Sequence, residues 1–268
     1  MKIVIVGYGW LGQQLAVALC ADGHQLVVTR RNAQSLVNLP AGVKGLVLDL
    51  NLQDNCPENV ADAFSNAVVI CAIAPGQQSG TNSYVKSLQQ LNSIITKAGS
   101  KALIHFSSTG IYQGLDGNVD ENSLLLESLP RVQLLVAGEK ALQQFPRCIT
   151  LRLAGLIGPG RHPGRFVANK TLPDPNGLIN IVHAVDIIGA VQSILPAEHW
   201  QSAIYNLSCP VKLSRQDFYQ RATDLAGTQV QFVPETLSQR YVNSQKFITQ
   251  YNFQYRFISA GDALAYCF

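Results

Sequence analysis

Ile3-Val4-Ile5-Val6 is a short, wholly apolar run, and Gly7-Tyr8-Gly9-Trp10-Leu11-Gly12 follows it directly. This junction constrains the fold more than any other stretch of the chain. Four β-branched residues in a row suit a strand buried on both faces, as in the middle of a parallel sheet. Trp10 to Ala21 reads as a helix that stops before Gly23. In the G-x-G-x-x-G between them, Gly7 permits a tight turn, Gly9 lets a ligand approach the backbone, and Gly12 lets helix and strand pack closely. The helix start adds unpaired N–H groups and partial positive charge, which suit a phosphate. In this strand–turn–helix setting the pattern points to a dinucleotide pyrophosphate held by Gly7, Gly9, Trp10, Leu11 and Gly12, where the plainer reading is a glycine-rich turn.

The strand–helix alternation continues through the N-terminal half. Strands are expected at Gln25–Thr29, Val43–Leu48, Ala67–Ala72, Ala102–Phe106 and Ile149–Leu153. Tyr84, Leu88, Leu91, Ile95 and Ala98 recur at helical spacing before Gly99, and Leu124 to Phe145 reads as mostly helical. Such alternation predicts an α/β fold, a doubly wound parallel sheet of the Rossmann type. After Leu153 the texture changes. Gly158 to Gly177 is dense in proline and glycine and reads as a long loop, of the kind that tends to be functional. Ala184–Leu195 then looks helical, Ala203–Leu207 strand-like, and Ser214–Leu225 helical with Ser214 as N-cap. The expected organisation is a dinucleotide-binding core over residues 1–155 and a smaller substrate lobe over 156–268, packed as a single structural unit.

Charged residues make up only 14% of the 268, against roughly 25% in ordinary soluble domains, so each cation is worth following individually. A net charge of +3 argues against a nucleic-acid partner. No apolar run approaches the roughly 18 residues of a membrane span. The apolar start after Lys2 is broken by Gly7, Gly9 and Gly12 and then by Gln13 and Gln14, which argues against a secretory leader. Cys20, Cys56, Cys71, Cys148, Cys209 and Cys267 form no C-x-x-C pair and no cluster with zinc spacing. They read as reduced thiols of a cytoplasmic protein with no metal site. A monomer or homodimer is expected.

The end of the second strand reports on the ribose. An acid there accepts from the 2′-hydroxyl of NAD, whereas this chain has Thr29-Arg30-Arg31. Two guanidiniums suit a 2′-phosphate, so NADP is favoured over NAD; the alternative is a solvated basic turn. Asp49, after the third strand, is placed to meet the adenine amino group, and Ala72, Ile73 and Ala74 to line the cofactor beyond the fourth.

Together with the glycine loop, four further segments are similar to the extended short-chain dehydrogenase/reductase family, which includes NAD(P)-dependent epimerases and dehydratases. These are Phe106-Ser-Ser-Thr-Gly-Ile-Tyr112, Leu151-Arg-Leu-Ala-Gly-Leu-Ile-Gly-Pro-Gly-Arg161, Asn180-Ile-Val-His183 followed by Asp186, and Ile204-Tyr-Asn-Leu-Ser208. The resemblance covers nearly the whole chain. It implies a Tyr followed four residues later by Lys as acid/base pair, and an orienting serine at Ser108. None of the nine tyrosines has Lys four residues on. With Val136-Ala-Gly-Glu139 as the family's marker, the Lys position falls on Leu135 and the Tyr position on Arg131. The chain therefore resembles an atypical branch that keeps the cofactor site without the pair.

The remaining catalytic candidates are Ser108, Tyr112 and Arg131. Ser108 either orients substrate or hydrogen-bonds locally. Tyr112 either supplies an acid or packs below the cleft. Arg131 stays protonated, binding an anion or polarising an oxygen rather than acting as a base. Arg161 and Arg165, with His183, are candidates for a phosphate or carboxylate of the substrate; the alternatives are an open surface loop and, for His183 and Asp186, capping of the helix that starts at Ala184. His105 reads as a core histidine. Two functions stay open: an NADP-dependent oxidoreductase or epimerase acting on a small anionic or sugar-like substrate such as a nucleotide-sugar, and a catalytically weak NADP-binding sensor or scaffold.

Overall fold

The computed structural model describes residues 1–51, 58–75, 81–197, 200–235 and 238–268. In chain order the first elements are β1 (Lys2–Val6), α1 (Trp10–Ala21), β2 (Gln25–Arg30), β3 (Val43–Val47), α2 (Glu58–Phe64), β4 (Val68–Cys71), α3 (Thr81–Lys97) and β5 (Ala102–Ser108). Next come β6 (Asn118–Val119), α4 (Pro130–Gln143), β7 (Cys148–Leu153), β8 (Gly155–Ile157), α5 (Pro163–Phe166), β9 (Lys170–Pro173), β10 (Ile181–His183) and α6 (Ala184–Ile194). The chain continues through β11 (Ala203–Leu207), α7 (Arg215–Ala226), β12 (Val230–Val233), β13 (Tyr241–Val242), α8 (Gln245–Tyr251) and α9 (Ala260–Ala263).

Seven strands form one sheet in the order β11-β7-β5-β4-β1-β2-β3. The pairs β1–β2, β1–β4, β2–β3 and β4–β5 run parallel, with Ile5 opposite Val28 on one side and Ile70 on the other. This is the α/β, doubly wound parallel arrangement read from the sequence. Strand order reverses between β1 and β4, and in open sheets a ligand lies beyond the carboxyl ends of the strands at such a point.

The chain divides into two compact units. The first holds Met1–Ser107, Gln133–Leu151 and Ala197–Ile204; the second holds Ser108–Val132, Arg152–Pro196 and Tyr205–Phe268. A single cut between residues 155 and 156 does not describe this division, because the chain crosses between the units several times. In the first unit, Val4, Val6, Val69, Cys71 and Leu103 of the strands meet Tyr84, Leu88, Leu91 and Ile95 of α3. These are the periodic residues of the sequence, and each side chain that leaves water for this core contributes about 1.5–3 kcal/mol. The second unit has its own core of Ile157, Ile181, Phe218, Ala222, Phe257, Ala260 and Leu264. Its strand pairs β8–β10, β9–β12 and β6–β13 are also parallel.

Two expectations are corrected. The helix expected from Leu124 begins only at Pro130, which sits first in α4, where its missing N–H costs nothing. Leu124, before it, is 89% exposed. The stretch from Gly158 to Gly177 is not all loop: it contains α5 and β9. Ser214 does cap α7, its Oγ accepting from the Asp217 N–H at 3.0 Å. Among the described residues no helix is long and apolar enough to cross a membrane. No group of three or more His, Cys, Asp or Glu among them could hold a metal ion. Cys20, Cys71, Cys148, Cys209 and Cys267 are free thiols, and Cys56 lies outside the described residues.

Candidate functional site

The glycine loop is built as its residue types require. Gly7 has φ +104°, and a Cβ there would stand 3.0 Å from the Ala72 carbonyl oxygen. A Cβ on Gly12 would stand 2.4 Å from the Gly7 carbonyl oxygen, so only glycine lets α1 sit this close to the turn. A Cβ on Gly9 would meet nothing within 4 Å. Gly9 is the N-cap of α1 and supplies no side-chain acceptor. The first-turn N–H groups of a helix lack intrahelical acceptors, so this end offers donors to an anion. The loop is tied to the end of β2: Gly7 N–H donates to Thr29 Oγ1 (3.4 Å) and Tyr8 N–H to the Thr29 carbonyl (3.1 Å).

A cavity of about 300 Å³ opens here, at the carboxyl ends of β1 to β4. From the expected residues it collects Gly7, Gly9, Thr29, Arg30, Arg31, Asp49, Ala72, Ile73 and Ala74. Trp10, Leu11 and Gly12 do not line it; they form the first turn of α1, where Leu11 and Gly12 are buried. The cavity also takes in Tyr8, Leu48, Leu50, Asn51, Ser83, Tyr84 and Ser87, which the sequence reading left out. Ser83 and Ser87 lie four residues apart on α3, and that spacing was a usable signal. Their hydroxyls donate to Asn51 Oδ1 at 3.4 and 3.0 Å, while Asn51 N–H donates to Asp49 Oδ1 at 3.0 Å. Arg30 is half-buried beside the Tyr8 ring, and Arg31 is exposed. Burial raises the Tyr8 hydroxyl above its ordinary value, and the Arg30 charge pulls it back.

Also in the first unit, Ser107 donates to Glu139 Oε1 at 2.6 Å, with both residues buried. Leu135, at the position the resemblance gives to Lys, is buried on α4. It has no group that could move a proton.

The remaining candidates belong to the second unit. Ser108 caps the turn after β5, its Oγ accepting from the Gly110 N–H at 3.1 Å. Its own hydroxyl proton has no acceptor among the described residues. Tyr112 is fully buried: its hydroxyl donates to Asn206 Oδ1 (2.9 Å) and accepts from Arg152 Nη1 (2.8 Å). Burial outweighs the nearby Arg152 and raises its pKa. That geometry supports packing rather than proton donation. Arg131 is exposed on the first turn of α4. Arg161 and Arg165 are exposed, with guanidiniums 5.9 Å from the Phe166 ring centre and 5.6 Å from that of Phe268. His162 between them is buried, caps α5 through Nδ1 (3.2 Å from Gly164 N) and stacks on Phe268. His183 is also a cap. Its Nδ1 accepts from the Val185 N–H at 3.2 Å, and its Nε2 lies 3.4 Å from the Tyr266 carbonyl oxygen. Burial lowers its pKa. Both nitrogens are engaged and 1% of its surface is exposed, the geometry of the helix cap that the sequence also allowed for His183.

Residues 7–134 match a protein family described as NAD(P)H-binding. Of solved structures with this fold, MoeE5 in complex with UDP-glucose and NAD aligns with a TM-score of 0.82 at 20% identity, over 100% of this chain and 97% of that one. UDP-glucuronic acid 4-epimerase from Bacillus cereus, in complex with NAD, aligns with a TM-score of 0.81 at 18% identity, over 100% and 95%. Glycine loop, sheet order and these likenesses define the class by its fold: a Rossmann-type α/β chain whose residues 7–134 match an NAD(P)H-binding family and whose fold is that of these NAD-bound neighbours. Within that class the chain belongs to the family of Protein YeeZ of Escherichia coli strain K12, to which it is 30% identical over 264 residues, 96% of each chain.

Proposed function

We propose that the chain is an NADP(H)-dependent oxidoreductase or epimerase-like enzyme acting on a small anionic or sugar-like substrate, a nucleotide-sugar being one candidate. The observation that carries the cofactor preference is the cavity wall itself. Arg30 and Arg31 line it at the end of β2, where an NAD enzyme would place an acid. The first turn of α1 would take the pyrophosphate, with Gly9 leaving room for it, and Asp49 would accept from the adenine amino group. Bound NADP would supply hydride chemistry. This chain's own residues would bind and orient it, and Ser108, whose hydroxyl proton has no acceptor among the described residues, would hold a substrate oxygen. Arg161 and Arg165, pinned on aromatic faces, would hold the substrate's negative charge. A cytoplasmic setting accords with the free thiols.

A second reading, a cofactor-binding sensor or scaffold with little turnover, is favoured by one feature: buried Leu135 stands at the Lys position and Tyr112 is sealed off. Calorimetric titration with NADPH and NADH tests what the two readings share. Arg30→Ala should weaken NADPH binding at least about tenfold, the scale of a lost charge-assisted contact, while changing NADH little. Equal losses would remove the 2′-phosphate assignment. Screening NADPH oxidation against nucleotide-sugars, sugars and aldehydes then separates the enzyme from the sensor.

A further inference from the structure

Tyr8 fills the variable position between the first two glycines of the loop, where the motif accepts any residue. Here it is only 7% exposed, and the Arg30 guanidinium carbon stands 5.8 Å from its ring centre. Within about 6 Å the ring face attracts a cation, more strongly as water is excluded. Both backbones are fixed: Tyr8 N–H donates to the Thr29 carbonyl at 3.1 Å, and Leu48 N–H to the Arg30 carbonyl at 2.8 Å. Arg30 Nε is buried without a hydrogen-bond partner, and no carboxylate among the described residues pairs with this guanidinium. A buried donor and a charge without a counterion, on the wall of a cavity, are set up for an anion from outside the chain. An arginine otherwise loses considerable rotamer freedom when it binds, and the ring removes much of that freedom beforehand.

We propose that Tyr8 is a positioning residue that determines cofactor specificity: its ring face holds Arg30 against the cavity wall, ready for the 2′-phosphate. This rests on the NADP reading above and adds the residue that makes the arginine selective. The ring does the work and the hydroxyl does not, which separates Tyr8→Phe from Tyr8→Leu.

The test is calorimetric titration of the full chain with NADPH and with NADH, for wild type, Y8F, Y8L, R30A and the Y8L/R30A double variant. Y8L should weaken NADPH about three- to tenfold and leave NADH within about twofold, with Y8F close to wild type for both. On the R30A background, Y8L should cost NADPH nothing more, because the ring then has no cation to hold. Tyr8→Met serves the same comparison if the leucine variant does not fold. An equal loss of NADPH and NADH in Y8L, or a further NADPH loss in the double variant, would overturn the proposal. If R30A abolishes the NADPH preference while Y8L keeps it, Tyr8 alone is ruled out. If R30A leaves the preference unchanged, the cofactor reading falls and this inference falls with it.

Discussion

His105 sits in the middle of β5 with none of its surface exposed, and neither ring nitrogen has a hydrogen-bond partner among the described residues. Burial lowers its pKa from the ordinary 6.5 to about 4, although nearby Glu139 pulls the other way. The unfolded chain takes up this proton below pH 6.5 and the native chain only near 4. Stability from His105 is therefore complete above about pH 6.5 and lost as pH falls towards 4. The loss should reach about 2 kcal/mol at pH 5. Urea unfolding of His105→Leu should lack that component, and an identical pH profile would refute it. Asp186 works in the opposite sense. It is buried on α6, Oδ1 accepts from the Arg256 N–H at 2.6 Å, and Oδ2 has no partner among the described residues. Burial raises its pKa to about 6, against this N–H and the Arg256 charge. The native chain holds the proton between about pH 4 and 6 after the unfolded chain has released it, so stability falls as pH rises through that window. Asp186→Asn keeps an acceptor for the Arg256 N–H and removes the charge. It should be more stable than wild type by about 3 kcal/mol at pH 7, with the difference shrinking as pH falls from about 6 to 4. A variant less stable at pH 7 would show that the carboxylate is favoured in place.

At the scale of elements, what could be read in advance was what neighbours in sequence decide. α1 begins at Trp10 and ends at Ala21 because an apolar strand, a glycine turn and a closing Gly23 bracket it. Ser214 announces α7 through a local hydrogen bond. What could not be read was what distant partners decide. β9 exists because Lys170–Pro173 pairs with Val230–Val233, and Pro173 alone would argue against a strand. Asn51, Ser83 and Ser87 reach one cavity only because β3 and α3 bring them together. The loop between β1 and α1 yields a test that separates fold from ligand. Gly12→Ala drives a methyl into the Gly7 carbonyl and should cost about 1–3 kcal/mol, visible as a lower denaturation midpoint. Gly9→Ala points its methyl into open space, and the weaker N-cap should cost under about 1 kcal/mol. Yet that space is where the pyrophosphate would lie, so Gly9→Ala should lose NADPH affinity while staying folded. Full binding by Gly9→Ala would place the phosphates elsewhere.

Across the whole molecule, the chain is scarce in charge, and its charges are unevenly used. Of eleven arginines, Arg30 and Arg31 both stand on one cavity wall at the switch point of the sheet, and Arg30 has no carboxylate partner among the described residues. A native state carrying an uncompensated cation in a cleft is stabilised by the anion that fills it. Mass action gives the size: at a free concentration of 100 times Kd, a ligand that binds only the folded chain adds about 2.7 kcal/mol. Differential scanning calorimetry with NADPH should show that gain in the transition that melts the first unit. If the second unit melts separately, its transition should move only as far as it is coupled to the first. NADH at equal concentration should shift the first transition less. In Arg30→Ala the two cofactors should become alike, because what distinguishes them is a phosphate and the variant no longer offers its counter-charge. A transition indifferent to both cofactors would mean that this cavity does not bind a dinucleotide, and both functional readings would fall together.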